Sequence, residues 1–297
     1  MKRTIIFDGS NLLHRCYWVS SVRRNVSVVQ LFLSSMKKST NMFKADQVIC
    51  VWDAKTVKGR NYRYKSTTGE YKGTRDREKA AKVYEHSDRC QEVSATLGVI
   101  HLNPGILEAD DFIYWLCGDI SNHKTIISSD GDLLQLVSDS CEVYNPIVNK
   151  LITMETFEEI TGLPDISSYI LYKSLVGDKS DNIPGLSKVG PKRAMRIIEQ
   201  GIDTLSATDA ALLEHNLQLI DLSNAVHHHP EEFALYKETY YNVKSKTKRD
   251  FIKFKKLCID NELFAISNKL SDWTRVFDKT QSIENIVAKL IKLNNGD

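Results

Sequence analysis

The chain has 297 residues and a formal net charge of +2; 42% of its residues are apolar and 26% are charged. This length can bury a sizeable core, and the composition is ordinary for a globular protein. No apolar stretch approaches the ~18 residues of a membrane span, and the first acid comes too early for a secretory signal. The six cysteines are scattered without a C-x-x-C pair, which argues against a zinc site and favours reduced thiols in the cytoplasm.

Short apolar runs and helical patterns alternate in the first half of the chain. Strands are predicted at residues 4–7, 47–52, 124–129 and 141–144, and helices at residues 28–38, 83–97 and 109–120. This alternation predicts an α/β protein with a mainly parallel central sheet, in which ligands gather at the carboxyl ends of the strands. Three of the four strands are followed by an aspartate. One such residue would be explained as a turn residue or helix cap, but three in the same position predict a site.

The second half of the chain is mostly helical. A connection rich in glycine and proline covers residues 177–190, and a helix follows at residues 191–200, with Pro191 in its first turn. We therefore expect an α/β catalytic core at residues 1–165 and a helical region at residues 166–297.

Clusters of carboxylates recur along the chain. Each one alone is explained by helix capping or an Asx turn. If the sheet gathers them, they repel one another, and bound cations would relieve the repulsion. Oxygen ligands without cysteine or histidine select magnesium, with manganese as a substitute, and two ions ~3.5–4 Å apart would hydrolyse a phosphodiester in line. The nine candidate ligands are Asp8, Asp53, Glu108, Asp110, Asp111, Asp130, Asp132, Asp178 and Asp181.

Positive charge is concentrated in two segments, residues 55–82 and residues 244–256. Basic segments beside an acidic pocket are typical of a protein that holds a polyanion by its phosphates and cuts it at metal ions. Taken alone, such lysine-rich stretches are more simply explained as solvated helix faces.

Six motifs together resemble those of the 5′ nucleases. This family comprises flap endonucleases and 5′–3′ exonucleases, among them the N-terminal domain of bacterial DNA polymerase I and stand-alone bacteriophage enzymes. The motifs are FDGSN at 7–11, VWD at 51–53, YKGTR at 71–75, EADD at 108–111, SDGD at 129–132 and GDKSDNIPG at 177–185. Each is weak alone, but all six in this order and spacing are specific. The resemblance covers residues 5–198 and implies a PIN-like core, a helical arch at about residues 72–98 and a helix–hairpin–helix-like motif.

The resemblance also implies roles for individual residues. Asp8, Asp53, Glu108 and Asp110 would hold a first metal ion with Asp111 nearby, and Asp130, Asp132, Asp178 and Asp181 would surround a second. Lys72 and Arg75 match basic residues at the base of the arch, where a fixed cation stabilises charge that develops in the transition state. Catalysis is expected to rest on these two residues together with Asp8, Asp130 and Asp178. Tyr71 is expected either to stack on a base of the 5′ strand or to lie in the core.

The helix–hairpin–helix-like segment at residues 184–196 is expected to bind duplex phosphates through backbone N–H groups, with potassium as a possible further ion. Its DNA-contacting residues would be Gly185, Lys188, Gly190, Lys192 and Arg193. The sequence departs from the usual Gly-hydrophobic-Gly turn, because Lys188 replaces the first glycine. This puts the turn geometry and the potassium site in doubt. A P-loop at residues 185–193 is excluded, because Pro191 breaks its Gly-Lys-Ser/Thr ending and no strand precedes it.

These observations predict a structure-specific 5′ nuclease that cuts DNA at 5′ flaps or 5′ ends by a two-metal mechanism, in replication or repair. The expected substrate is branched or 5′-ended DNA, with RNA-primed ends as a further class. We expect a stand-alone monomer in the cytoplasm of a bacterium or a phage-infected cell, without a membrane partner.

Two alternatives remain at this stage. A ribonuclease of the PIN-like superfamily would share the acidic site but would generally lack the arch and hairpin segments. A non-catalytic module that recognises DNA junctions would be marked by loss of key acids, and every expected acid is present.

Overall fold

The computed structural model describes residues 2–23, 26–54, 61–66, 71–74, 76–103 and 105–278, with residues 65, 66 and 77 described by their backbone only. The predicted site residue Arg75 lies outside these ranges. The central sheet contains β1 (Arg3–Asp8), β2 (Gln47–Val51), β3 (Ile100–Leu102), β4 (His123–Ile127), β5 (Cys141–Asn145) and β6 (Lys150–Ile152). A separate two-stranded ribbon contains β7 (Gly177–Asp178) and β8 (Ile183–Pro184).

The strand order is β3-β2-β1-β4-β5-β6. All neighbouring pairs from β3 to β5 are parallel, and β6 joins the edge antiparallel. The predicted mainly parallel α/β sheet is therefore confirmed, and the four predicted strands lie within two residues of the observed ones. The sequence analysis did not predict β3 and β6, because runs of three residues are too short to show a pattern.

The helices in chain order are α1 (Gly9–Val22), α2 (Val28–Met42), α3 (Tyr62–Ser66), α4 (Arg77–Tyr84), α5 (Ser87–Ala95), α6 (Ala109–Asp119), α7 (Phe157–Thr161), α8 (Ile166–Val176), α9 (Pro191–Gln200), α10 (Ala207–Ile220), α11 (Asn224–His228), α12 (Pro230–Lys246), α13 (Phe251–Asp260), α14 (Phe264–Ser267) and α15 (Leu270–Phe277). Short 3₁₀ helices cover Asp132–Leu136 and Ile202–Thr204. Within the described residues, every helix is too short or too polar to cross a membrane.

The single helix predicted at residues 83–97 is interrupted in the structure. It is replaced by α4 and α5, which are separated by two turn residues. No glycine or proline marks this break in the sequence. The hydrophobic pattern therefore continues across it and could not show it.

Helices cover both faces of the sheet. Successive residues of β1 point to opposite faces, since Ile5 and Phe7 belong to one buried cluster and Ile6 belongs to another. The first cluster contains side chains from α1, α2, α5 and α13–α15, and the second contains side chains from α6, α7, α11 and α12. Burial on both faces explains why the central strands are almost continuously apolar.

The helical region after residue 165 does not pack as one unit. Helices α8–α10 share their own small core, which includes Leu175, Ala194 and Leu213. In contrast, α12 packs through Tyr236 and its neighbours against one face of the sheet, and α13–α15 pack against the other. The last helices thus bury aromatic side chains on the α/β core, and the division at residue 165 stays a prediction.

Candidate active site

A cleft of about 480 Å³ opens at the carboxyl edge of the sheet. Four predicted ligands line it: Asp8, Asp53, Asp110 and Asp130. Asp8 is the last residue of β1, while Asp53 and Asp130 follow β2 and β4 by two and three residues. The parallel order β2-β1-β4 is what brings these three strand ends together.

The first two aspartates are held in place by neighbouring polar groups. Asp8 caps α1 by accepting the Asn11 N–H at 2.9 Å, and its other oxygen accepts the Ser128 hydroxyl at 3.1 Å. A Cβ on Gly9 would lie 2.8 Å from the carbonyl oxygen of Val51, so only glycine fits between this helix start and β2.

Asp53 follows β2 and is held in place by hydrogen bonds from two helices. One of its oxygens accepts the Ala109 N–H at 2.9 Å, and the other accepts the Tyr84 hydroxyl at 3.3 Å. Asp53 thereby joins the sheet edge to α6, which carries the EADD motif, and to the end of α4.

Burial and mutual repulsion affect the protonation of the cleft. Burial, together with the nearby charge of Asp53, raises the pKa of Asp8 to about 7. Burial and the charge of Asp111 raise the pKa of Asp110 well above its usual range. A cation in the cleft would favour the ionised form of both groups. The carboxylate oxygens on the cleft wall are the ligands that hard divalent cations prefer, so these residues fit a magnesium or manganese site.

Arg63 lies beneath the cleft and was not singled out by the sequence. It is 1% exposed, and its guanidinium contacts both oxygens of Asp111 at 2.9 and 2.7 Å. It also donates to Glu108 at 3.0 Å and to the carbonyl of Leu219 at 2.8 Å. Oxygens of Glu108, Asp110 and Asp111 lie within 4.8 Å of one another, but Arg63 already neutralises two of these acids. In the sequence, Arg63 is one of ten cations in a single run, and nothing distinguishes it there.

Lys72 extends from the YKGTR motif into the cleft. Its ammonium donates to Glu108 and lies 3.6 Å from Asp181. Its backbone has a φ of 52°, a left-handed conformation that is uncommon for lysine and is often found at functional sites. Although burial raises the pKa of Glu108, Lys72 and Arg63 lower it to about 2, so Glu108 is ionised.

Tyr71 is in the core. Its side chain is buried, with the residue 2% exposed, and its hydroxyl lies within hydrogen-bonding distance of Glu108 (2.8 Å) and Asp181 (2.9 Å). Of the two roles considered for this residue, the structure supports the core tyrosine. The ring is not accessible to stack on a base.

Lys173 forms ion pairs with two more of the predicted ligands, Asp132 and Asp178. It projects from α8, donates to Asp132 and lies 2.8 Å from Asp178. Burial raises the pKa of both carboxyls. For Asp178 the charge of Lys173 outweighs burial and lowers the pKa to about 2. For Asp132 burial, together with the nearby charge of Asp130, outweighs Lys173, and the pKa rises to about 6. Side chains of the protein itself therefore relieve part of the repulsion that was expected among these acids. Arg63, Lys72 and Lys173 contact five of the nine acids, and the other four line the cleft.

A family profile described as "5′-3′ exonuclease, N-terminal resolvase-like domain" matches residues 3–162, more than half of the chain. The chain belongs to the 5′–3′ exonuclease family. The resemblance seen in the six motifs is thus confirmed.

Individual relatives of this 5′–3′ exonuclease family member agree. It is 31% identical to the 5′–3′ exonuclease of Bacillus subtilis over 67% of this chain and 70% of that protein. It is 27% identical to the flap endonuclease Xni of Shewanella loihica over 75% of this chain and 90% of that protein. Its fold is similar to that of the bacteriophage T5 flap endonuclease, with a TM-score of 0.69 at 21% identity, over 82% of this chain and 100% of that one.

The segment at residues 184–196, which was predicted to be helix–hairpin–helix-like, follows α8 and includes the first part of α9; the two helices pack together through Leu175 and Ile197. Lys188 is exposed and has a φ of 59°, so it adopts the left-handed conformation that glycine adopts without strain. Gly190, Lys192 and Arg193 are also exposed at the start of α9. Gly185 differs, because a Cβ there would lie 2.3 Å from the carbonyl oxygen of Val176. Its role in the structure is close packing of the backbone.

The second basic segment, residues 244–256, lies away from the cleft. Lys244, Lys248 and Arg249 line a cavity of about 690 Å³ that also contains Lys2 and Gln47. The last two mark the amino ends of the parallel strands, which form the opposite edge of the sheet. This segment therefore does not border the carboxylates.

Proposed function

We propose that this chain is a structure-specific 5′ nuclease that hydrolyses DNA phosphodiesters at 5′ flaps or 5′ ends, using two magnesium ions. The observation that carries the proposal is the convergence of four carboxylates on one cleft with Lys72 on its wall. Family membership supports it. The T5 relative has been solved in complex with DNA and metal ions.

The cleft carboxylates would hold the metal ions. Asp8, Asp53, Asp110 and Asp130 line the cleft together, and manganese could replace magnesium at such oxygen donors. The acids bound to Lys72 and Lys173 would act through water, since magnesium keeps several waters in proteins. When bound, the ions would activate the attacking water and neutralise charge on the scissile phosphate.

The protein's own groups would fix the substrate in this cleft. Asn11, Ser128 and Tyr84 hold the carboxylates that face the phosphate, so little reorganisation is needed when charge develops. Lys72 would place its ammonium against a phosphate oxygen while Glu108 and Asp181 orient it from behind. We propose positioning and electrostatic stabilisation as its catalytic role.

A cleavage assay tests this proposal. A 5′-labelled flap DNA would be incubated with the full chain, with magnesium or with a chelator, beside nicked and RNA-primed duplexes. We expect magnesium-dependent release of short products from the 5′ end. Cleavage of single-stranded RNA alone would instead identify a ribonuclease, and binding without any cleavage would identify a junction-binding module.

The raised pKa of Asp8 predicts a pH-dependent stability in the absence of metal. Because the folded pKa of about 7 exceeds the ordinary aspartate pKa of 3.8, the folded state binds the proton more tightly, and stability is lost as the pH rises from about 4 to 7. Asp8→Asn keeps an acceptor oxygen for the Asn11 N–H, and its amide nitrogen can donate to the Ser128 hydroxyl, but the side chain cannot ionise. We therefore expect the Tm of Asp8→Asn to exceed that of the wild type by an amount that grows across this pH range.

Thermal unfolding with a chelator, followed from pH 4 to pH 8, measures this difference. Added magnesium should reverse its sign above pH 7, because the ion stabilises the ionised wild-type site and binds the variant less well. A difference in Tm that stays constant with pH would contradict the proposed electrostatic origin.

We also propose that the hairpin segment binds duplex phosphates through Lys188, Lys192 and Arg193, with the ammonium of Lys188 supplying charge that a potassium ion would otherwise provide. Lys188→Gly should weaken binding of duplex DNA and reduce the salt dependence of log K by about one unit. It should also leave stability unchanged or raise it by up to ~1 kcal/mol, since glycine adopts the left-handed conformation without strain.

Lys44→Gly is the matched control for this variant. Lys44 also has a positive φ, 51°, and precedes β2 at the opposite edge of the sheet. Lys44→Gly removes the same charge and adds the same backbone freedom as Lys188→Gly. Equal loss of duplex affinity in both variants would show that Lys188 makes no local contact with DNA.

A further inference from the structure

An exposed tryptophan lies beside the cleft and has no role in the site described above. Trp18 is on α1 and is 61% exposed, whereas Trp52 and Trp273 are buried. Tryptophan is highly buried on average, so the groups around this exposed ring decide what it could bind.

A cation lies over this ring and links it to the cleft. The ammonium of Lys79 is 5.7 Å from the centre of the Trp18 ring, and Lys79 also lines the carboxylate cleft. Lys79 is in the first turn of α4, which packs on α1 and begins at its capping residue, Asp76. The indole ring and the ammonium are therefore presented together, on two helices that form one wall.

Aromatic side chains continue from this wall to the carboxylates. His14 lies one helical turn before Trp18 and lines the cleft. Its ring packs edge-on against Tyr84 with 5.6 Å between centres, and Tyr84 contacts Asp53. The wall thus presents Tyr84 of α4 beside Asp53, then His14 and, one turn further along α1, Trp18.

An aromatic ring paired with a lysine is a common site for single-stranded nucleic acid, because a base stacks on the ring while a phosphate meets the cation. Trp18 is ten residues after Asp8, roughly 15 Å along a helix at 1.5 Å per residue. This corresponds to about four nucleotides of a strand that keeps the stacked, helical spacing of ~3.4 Å per nucleotide. The length fits a strand that runs from the carboxylates along α1.

We propose that Trp18 is a stacking platform for a base of the single-stranded 5′ segment of the substrate, about four nucleotides from the scissile phosphate. Lys79 contacts the adjacent phosphate. This subsite rests on the proposed nuclease function and specifies one part of it. It makes the enzyme prefer substrates with a single-stranded 5′ segment long enough to reach Trp18.

Binding of fluorescent flap DNA tests the subsite. Flaps with 2-aminopurine at successive positions from the scissile phosphate, as located in the cleavage assay, would be titrated with the full chain in a chelator, so that no cleavage occurs. We expect quenching to be strongest near the fourth nucleotide, to persist in Trp18→Phe and to disappear in Trp18→Ala. Trp18→Ala should weaken binding of the flapped duplex about tenfold, and binding of the same duplex without a flap less than twofold.

Val22→Ala is the matched control. Val22 lies one turn further along α1 and is 67% exposed, so its truncation removes apolar surface without removing a ring. It should leave both affinities unchanged. Quenching that is equal in Trp18→Ala and wild type would overturn the proposal, as would equal loss of affinity for flapped and flapless DNA.

The proposed nuclease function fails in a distinguishable way. If the wild type does not cleave flap DNA with magnesium, the function is wrong whatever the quenching. If it cleaves and Trp18→Ala binds and quenches like wild type, only the subsite is wrong. Weaker binding of a protein partner by Trp18→Ala, with unchanged DNA affinity, would assign the ring to protein recognition and would also overturn the proposal.

Discussion

Replacement of Asp130 by asparagine is expected to reduce cleavage of flap DNA by at least about a thousandfold, with DNA affinity changed only a few fold. Asp130 lines the cleft, and its Oδ1 accepts the N–H of Asp132 at 2.9 Å. Asparagine keeps this hydrogen bond and the shape of the side chain. It removes only the charge that would hold a metal ion, while the proposed DNA contacts are made by cationic and backbone groups.

Single-turnover cleavage and chelator-protected binding measure the two quantities separately. Asp139→Asn is the control, because Asp139 is exposed on the turn before β5 and away from the cleft lining. It should cleave like the wild type. If Asp130→Asn lost affinity and rate in equal proportion, the division between a catalytic cleft and separate DNA contacts would be wrong.

The largest effect on stability is expected from Arg63→Ala. The substitution leaves Glu108 and Asp111 buried without their cationic partner, and loss of one member of a buried ion pair typically costs about 3–5 kcal/mol. It also leaves the Leu219 carbonyl without its donor. We expect a loss of unfolding free energy in this range, together with loss of cleavage, because α3, α6 and the end of α10 are no longer joined.

Urea unfolding in a chelator gives the free energy without a contribution from metal. Arg89→Ala is the matched control: Arg89 forms an exposed ion pair with Glu92 on α5, and its loss should cost less than ~1 kcal/mol. Arg63→Lys should fall between Arg63→Ala and wild type, since lysine retains the charge but not the bidentate geometry. A loss below 1 kcal/mol for Arg63→Ala would contradict a supporting role for this cluster.

The sequence by itself determined the sheet and the position of the cleft acids. The strands that end near Asp8, Asp53 and Asp130 are continuous apolar runs, which a parallel sheet with both faces covered requires. The turn after each strand is local, so the sequence places each aspartate at the carboxyl edge without knowledge of the remaining fold. The start of α6 after Glu108 is local in the same way, because acids in a first turn suit the helix dipole.

The tertiary structure decided which acids face the cleft and which are neutralised from within. Arg63 contacts Asp111 across 48 residues and Leu219 across 156, and Lys173 reaches Asp132 across 41. No local pattern distinguishes these cations from the solvent-exposed lysines around them. Such pairs form only when helices distant in the sequence pack on one another. A charge needs a partner once packing has removed it from water, and the sequence alone does not show which charges are removed. The same packing buried Tyr71 and left Trp18 exposed, although both are aromatic residues with basic residues nearby in the sequence.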